Sequence, residues 1–185
     1  MAKVQALHHR TKETNVYPLD GDAYLIEATL QDEIHDVHAE VEILYPSLEI
    51  RAARAAVRNG PFTNVCNLAS PNVEGLVGMR VGRGFTVDAR KKVGGSLGCH
   101  RLSELVVEIA QAAYGLHFIR HFADVPHEVR EQDDDPPARW RGVLERIPGM
   151  QNTCFSYNEA SAQRIADEAR PLRLRRQSLP ERELP

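Results

Sequence analysis

YLIEATLQDEIHDVHAEVEILY, residues 24–45, reads as two β-strands joined by a polar turn. Tyr24, Ile26, Ala28 and Leu30 alternate with Leu25, Glu27, Thr29 and Gln31. Beyond Gln31-Asp32-Glu33, Val37, Ala39, Val41, Ile43 and Tyr45 alternate with His38, Glu40, Glu42 and Leu44. Successive side chains of a strand point to opposite faces, so a period of two on both sides of a turn predicts an antiparallel hairpin with one buried face. Pro46-Ser47 interrupts the pattern, and Leu48 to Val57 reads as a third strand in which Arg51, Arg54 and Arg58 fall at mixed spacings.

Working outward, Asn59-Gly60-Pro61 signals a turn, and Ser70-Pro71 reads as an N-cap with proline at the first position of a short helix ending near Gly75 or Gly78. Met79 to Val93 is expected to contain a strand with Phe85 and Val87 on one face. From Cys99, the residues Leu102, Leu105, Val106, Ile109 and Ala113 recur at helical spacing and form a face to bury against a sheet. Gly115 either caps this helix or is passed by a continuation through Leu116 to Phe122. Beyond Asp124 the pattern weakens: Asp133-Asp134-Asp135-Pro136-Pro137 reads as a solvated loop, Trp140, Leu144 and Ile147 as a short helix, and Ser156 to Ala169 as a last helix. The expected fold class is α+β, an antiparallel β-meander packed against one long amphipathic helix and shorter helices. One globular domain is expected over residues 1–169, with a disordered tail over 170–185 that is rich in Arg, Glu and Pro.

Composition excludes several classes. Among 185 residues, 23 are basic and 26 acidic, so no strong field favours nucleic acid or an anionic membrane. No stretch approaches the roughly 20 apolar residues of a membrane span. The polar start, Met1 to Lys12, has no apolar core of a signal peptide. Cys66, Cys99 and Cys154 are odd in number and far apart, which argues against a disulfide framework and for a reducing compartment, the cytoplasm.

The chemistry-bearing segment is Gly94-Gly95-Ser96-Leu97-Gly98-Cys99-His100-Arg101-Leu102. Its glycines allow a tight turn, and the helix that follows carries free N–H groups and a partial positive charge at its start, suited to a phosphate, a carboxylate or a developing oxyanion. That position also lowers the pKa of a thiol such as Cys99, and His100 could move a proton or bind a metal. The structural alternative is a tight strand-to-helix turn with Cys99 as a small buried residue. No Gly-Lys-Ser/Thr follows, so this is not a Walker loop, and no strand-helix-strand unit supports a dinucleotide site.

Around this turn the chain resembles a bacterial family of domains of unknown function whose usual signature here is Gly-Cys-Thr-His-Leu. The resemblance runs from Val16 to Gly115 and includes Leu30-Gln31-Asp32, His35-Asp36, Gly60-Pro61-Phe62 leading to Cys66, and Leu76-Val77-Gly78, with a weaker echo at Cys154-Phe155-Ser156-Tyr157. Gly98-Cys99 and Leu102 match the signature, whereas His100 follows the cysteine directly and Arg101 stands where the family has histidine. Family members often occur among genes of acyl-CoA and aromatic-acid metabolism, which implies a thioester substrate.

With that implication, the hairpin tip becomes the second focus. Asp32, Glu33, His35, Asp36 and His38 crowd this tip, where a carboxylate at Asp32 or Asp36 could activate water against a thioester carbonyl and a neighbouring histidine, His38 foremost, could orient it or protonate the leaving thiolate. A solvated turn is the alternative. The expected function is hydrolysis of an acyl-CoA thioester, aromatic acyl groups included, in aromatic catabolism. Asp32, Asp36, His38, Cys99 and His100 are the catalytic candidates, and Gly95, Ser96, Gly98 and Arg101 the substrate-binding ones. In this reading no cofactor or resident metal is called for, and the partner is a small-molecule thioester, with neither nucleic acid nor membrane. A homo-oligomer is the assembly entertained.

The alternatives are a non-enzymatic metal or iron–sulfur carrier using Cys66, Cys99 and a third ligand, or an accessory subunit of a catabolic enzyme. Strands followed by Gly-Cys and a helix are similar to iron–sulfur scaffold proteins, which also place a cysteine at a helix start. His117 and His121 have a metal-compatible spacing but no His-Glu-x-x-His arrangement. Arg170, Arg173, Arg175 and Arg176 could touch an acidic partner or coenzyme A phosphates, or simply be solvated.

Overall fold

The computed structural model describes residues 6–122, 142–145, 147–161, 164 and 167. Four strands, β1 (Thr11–Pro18), β2 (Ala23–Gln31), β3 (Asp36–Leu44) and β4 (Glu49–Asn59), pair antiparallel in the order β1-β2-β3-β4, a meander. The period-two pattern sets the register. Ile26 pairs with Val41, Ala28 with Ala39 and Leu30 with Val37, so one face of the hairpin is continuously apolar and buried.

β4 explains the mixed spacing of its arginines. Ile43 pairs with Ile50 and Glu42 with Ala52, leaving Arg51 over, while Val37 pairs with Val57 and Asp36 with Asn59, leaving Arg58 over. Each shift is a bulge of two residues against one. The buried set Ile50, Ala53 and Val57 stays on the core face, and all three arginines are exposed. β1 has no counterpart among the strands expected from sequence, because its residues carry no apolar alternation. It is a polar edge strand with no buried residue, and Val16 alone packs against the core.

After β4 come α1 (Thr63–Cys66), a 3-10 segment (Asn67–Leu76), α2 (Phe85–Val93) and α3 (His100–Phe122). Ser70 is not the expected N-cap. It lies buried inside the 3-10 segment and donates its hydroxyl to Asn67 Oδ1 at 2.9 Å, the same oxygen that accepts the Val57 N–H at 3.0 Å. The strand expected within Met79 to Val93 is also replaced. An isolated bridge joins Arg80 to Glu49, and Phe85 to Val93 is helical. Phe85, Ala89 and Val93 recur every four residues and are buried, whereas Val87 is exposed, so the period is that of a helix.

The long helix follows its expected face: Leu102, Leu105, Val106, Ile109 and Ala113 are buried, and it passes Gly115 to bury Leu116 as well. These residues form one core with the apolar face of the sheet and with Phe85, Ala89 and Val93. The architecture is α+β.

The chain divides into two compact units, Met1–Ile119 and Arg120–Pro185. The first holds the sheet and the core just described. In the second, Val143, Ile147 and Met150 are buried, and 3-10 turns occupy Pro148–Met150, Phe155–Tyr157 and Glu159–Ser161. Ser156 and Glu159 therefore lie in separate turns rather than starting one helix. Trp140, the acidic loop at 133–137 and the segment 170–185 lie outside the described residues. Among the described residues no helix is long and apolar enough to cross a membrane.

Candidate functional site

The glycine-led turn connects α2 to α3, so it is a helix-to-helix turn. Gly95 adopts φ +73°, and Gly98 packs so closely that a Cβ there would fall on the carbonyl oxygens of Val93 and Gly94. The Gly98 N–H donates to the Gly95 carbonyl at 3.3 Å and the Cys99 N–H to the Val93 carbonyl at 2.9 Å. The donors of Gly98 and Cys99 are thus used inside the turn. Ser103 N–H donates to the Cys99 carbonyl at 3.0 Å as the first bond of the helical ladder. The N–H groups of His100, Arg101 and Leu102 precede that ladder and are the ones geometry leaves for a ligand.

The hairpin tip is built around Asp32. Its Oδ1 accepts the N–H of Ile34 at 3.0 Å and of His35 at 2.8 Å, and lies 2.9 Å from His35 Nδ1. Its Oδ2 accepts Arg10 Nε at 2.9 Å and Nη2 at 2.7 Å. The side chain is 1% exposed. Burial opposes ionisation, but the Ile34 and His35 N–H groups, the His35 ring and the Arg10 guanidinium outweigh it and hold the carboxyl well below the usual carboxylate range. An ionised Asp32 accepts hydrogen bonds alone, so the contacting Nδ1 of His35 carries the proton and Nε2 is the basic nitrogen. Asp32 is therefore suited to orient a histidine and poorly suited to take a proton itself.

These two features meet at one cavity of about 610 Å³, lined by His35, Cys66, Ser96, Gly98, Cys99, His100 and Arg101 together with apolar residues. His35 comes from the hairpin tip, Cys66 from α1, and the remainder from the turn and the start of α3. An ion-pair chain ties the walls together. Glu104 lies 3.2 Å from Arg101 Nη1, 3.3 Å from His100 Nε2 and 4.0 Å from Arg10 Nη1, and Arg10 in turn holds Asp32.

Of the residues singled out from sequence, Ser96, Gly98, Cys99, His100 and Arg101 line the cavity, and Asp32 reaches it through His35. Gly95 shapes the turn without lining the cavity. Asp36 starts β3; its Oδ1 is buried without a hydrogen-bond partner among the described residues, and it too is absent from the lining. His38 sits on the other face of the sheet from the core, where its ring, Glu27 and Glu40 bring ligand-type atoms within 4.8 Å of one another. Glu40 is already bonded to Arg54 at 2.5 Å. Among the described residues this is the group of that kind whose atoms converge so closely, and it contains no cysteine.

Arg10 and Glu104 are not among the sequence candidates; Cys66 enters there only as a ligand of the metal-carrier alternative, and His35 only as one of the hairpin-tip residues, with His38 ranked above it. His35 was legible: an aspartate three residues before a histidine in a turn is the spacing at which its carboxylate caps the intervening N–H groups. Cys66 follows the Gly60-Pro61-Phe62 turn and is brought onto the same cavity as Cys99 by tertiary folding. Arg10 and Glu104 have no local signal.

A family model described as a protein of unknown function (DUF2889) matches residues 8–115, a span that contains every residue lining the cavity. No curated protein and no solved structure matches the chain.

Proposed function

The chain belongs to the DUF2889 family of proteins of unknown function, and we propose that it is a hydrolase of acyl-CoA thioesters, aromatic acyl groups included, acting in aromatic catabolism. The observation that carries this reading is the Asp32–His35 pair at the wall of a cavity that also holds the start of α3.

In this mechanism His35, held by Asp32 through Nδ1, takes a proton from water at Nε2 as the water oxygen attacks the thioester carbonyl. The carbonyl oxygen becomes an oxyanion beside the first-turn N–H groups of α3, where the helix dipole favours negative charge. The C–S bond then breaks, the leaving thiolate receives the proton from His35, and a free acid and a thiol result. A route through Cys99 as nucleophile would first exchange one thioester for another and still require water to release the acid, so the direct route is the shorter.

Purified protein should hydrolyse at least one member of a panel of aryl- and alkyl-CoA thioesters, and a panel with no turnover would sink the proposal. Loss of activity in His35→Ala with retention in Cys99→Ala would support the water route, and the converse the thiolate route.

One observation favours a second reading. Cys66 and Cys99, soft donors of the kind that bind zinc or an iron–sulfur cluster, line the same cavity as His35, but their ligand atoms do not converge within 4.8 Å of one another, so holding a metal would require them to draw together. Metal analysis and the visible spectrum of anaerobically purified protein decide it: a colourless, metal-free, folded protein removes this alternative.

A further inference from the structure

The cavity has a second character that its polar wall does not explain. Phe62, Val65, Leu68 and Leu97 line it, and they are 74%, 66%, 77% and 90% exposed. Large apolar side chains scattered singly on a surface need no explanation, but four around one cavity do.

Packing supplies none. α1 buries no residue of its own in the core, so Val65, and Phe62 just before it, are not apolar for the sake of the fold. Their backbone is nevertheless held in place. Val65 and Cys66 N–H groups both donate to the Phe62 carbonyl, at 2.9 and 2.8 Å, and Thr63 Oγ1 bonds both the N–H and the carbonyl of Gly60, at 3.2 and 3.1 Å. Across the cavity, Asn72 Nδ2 donates to the Leu97 carbonyl at 2.9 Å and anchors the most exposed of the four. Exposed apolar side chains carried on a backbone held in this way make a largely preformed binding wall.

We infer that these four residues grip the apolar acyl or aryl body of a small ligand whose polar end reaches His35 and Cys99, and so set the specificity of the site. The identity of the polar end as a thioester rests on the proposed function, whereas the apolar wall does not. Size points to a small molecule. A cavity of about 610 Å³ falls in the range of ligand pockets, roughly 300–1,000 Å³.

The test is calorimetric titration of the full chain with two series that cannot be hydrolysed: the carboxylates butanoate to octanoate, and S-alkyl-coenzyme A thioethers of the same chains. Affinity should rise by up to about fourfold per added methylene, the increment for burying that group. The Leu68→Ser/Leu97→Ser double variant alters exposed positions, so it should keep the parent melting temperature while flattening the slope. Val87→Ser, at an exposed residue of α2 outside the cavity, should leave the slope as it is. A slope in both series that the double variant flattens supports the inference. A slope among carboxylates with no gain from the coenzyme moiety keeps the apolar wall and removes the acyl-CoA reading. Thioester hydrolysis without any slope leaves that reading and overturns the wall, as does a slope the double variant does not change or a flat response in both series.

Discussion

In the proposed mechanism Asp32 contributes without reacting. Its two oxygens accept five contacts and its charge is locked, so it fixes the tautomer and direction of His35. Asp32→Asn should keep the shape but lose the preference for Nδ1–H, lowering the proposed thioester turnover by up to about a hundredfold, and His35→Ala should cost it about 10²–10⁴-fold. Both are read from steady-state kinetics. A stability effect accompanies the first change. The folded carboxyl titrates well below its ordinary value of about 3.9, so the folded state binds that proton less tightly than the unfolded chain. The stabilisation is complete above the ordinary value and fades as pH falls from there through the folded value. Melting temperature followed from pH 7 into acid should fall less steeply in Asp32→Asn than in the parent.

At the level of elements, the site depends on how tightly the α2–α3 turn can be made. Gly98→Ala places a methyl against two backbone carbonyls that have no side-chain freedom to move aside. It should destabilise by about 1–3 kcal/mol in denaturant titration and also displace the start of α3, so that activity falls with stability. The sheet and α3 are supported differently, by a shared apolar core. Leu30 and Ile109 contribute to it from β2 and α3 and are 0% and 1% exposed. Leu30→Ala or Ile109→Ala should cost about 2–5 kcal/mol, with the residual folded protein keeping its kinetic constants. That separation of stability from activity distinguishes a core position from a site position.

For the first unit as a whole, the ion-pair chain from Asp32 through Arg10 and Glu104 to Arg101, with His100 Nε2 3.3 Å from Glu104, joins three segments distant in sequence. Arg10 precedes an edge strand that buries nothing, so its contribution to the core is small, and its guanidinium is bonded to Asp32. Arg10→Met should preserve most of the stem packing but release Asp32. Turnover should drop by up to about a hundredfold with KM little changed. An equal rise in KM instead would mean that Arg10 acts by binding substrate.

The amino-acid sequence by itself determined the β2–β3 hairpin, the buried face of α3 and the place of the Gly98-Cys99 turn, because each rests on local periodicity or on glycine geometry within a few residues. It misjudged Phe85 to Val93, where a short apolar pattern fits either period until tertiary burial selects Phe85, Ala89 and Val93 together. It also missed β1, whose polar residues become a strand through pairing with β2. Tertiary structure alone decided which polar residues meet. It set His38 beside Glu27 and Glu40, brought Cys66 onto the same cavity as Cys99, and gave Asp32 its partner Arg10 from 22 residues away. The physical reason is that hydrophobic pattern records which face is buried, whereas hydrogen bonds and ion pairs between distant segments leave no periodic trace in the chain.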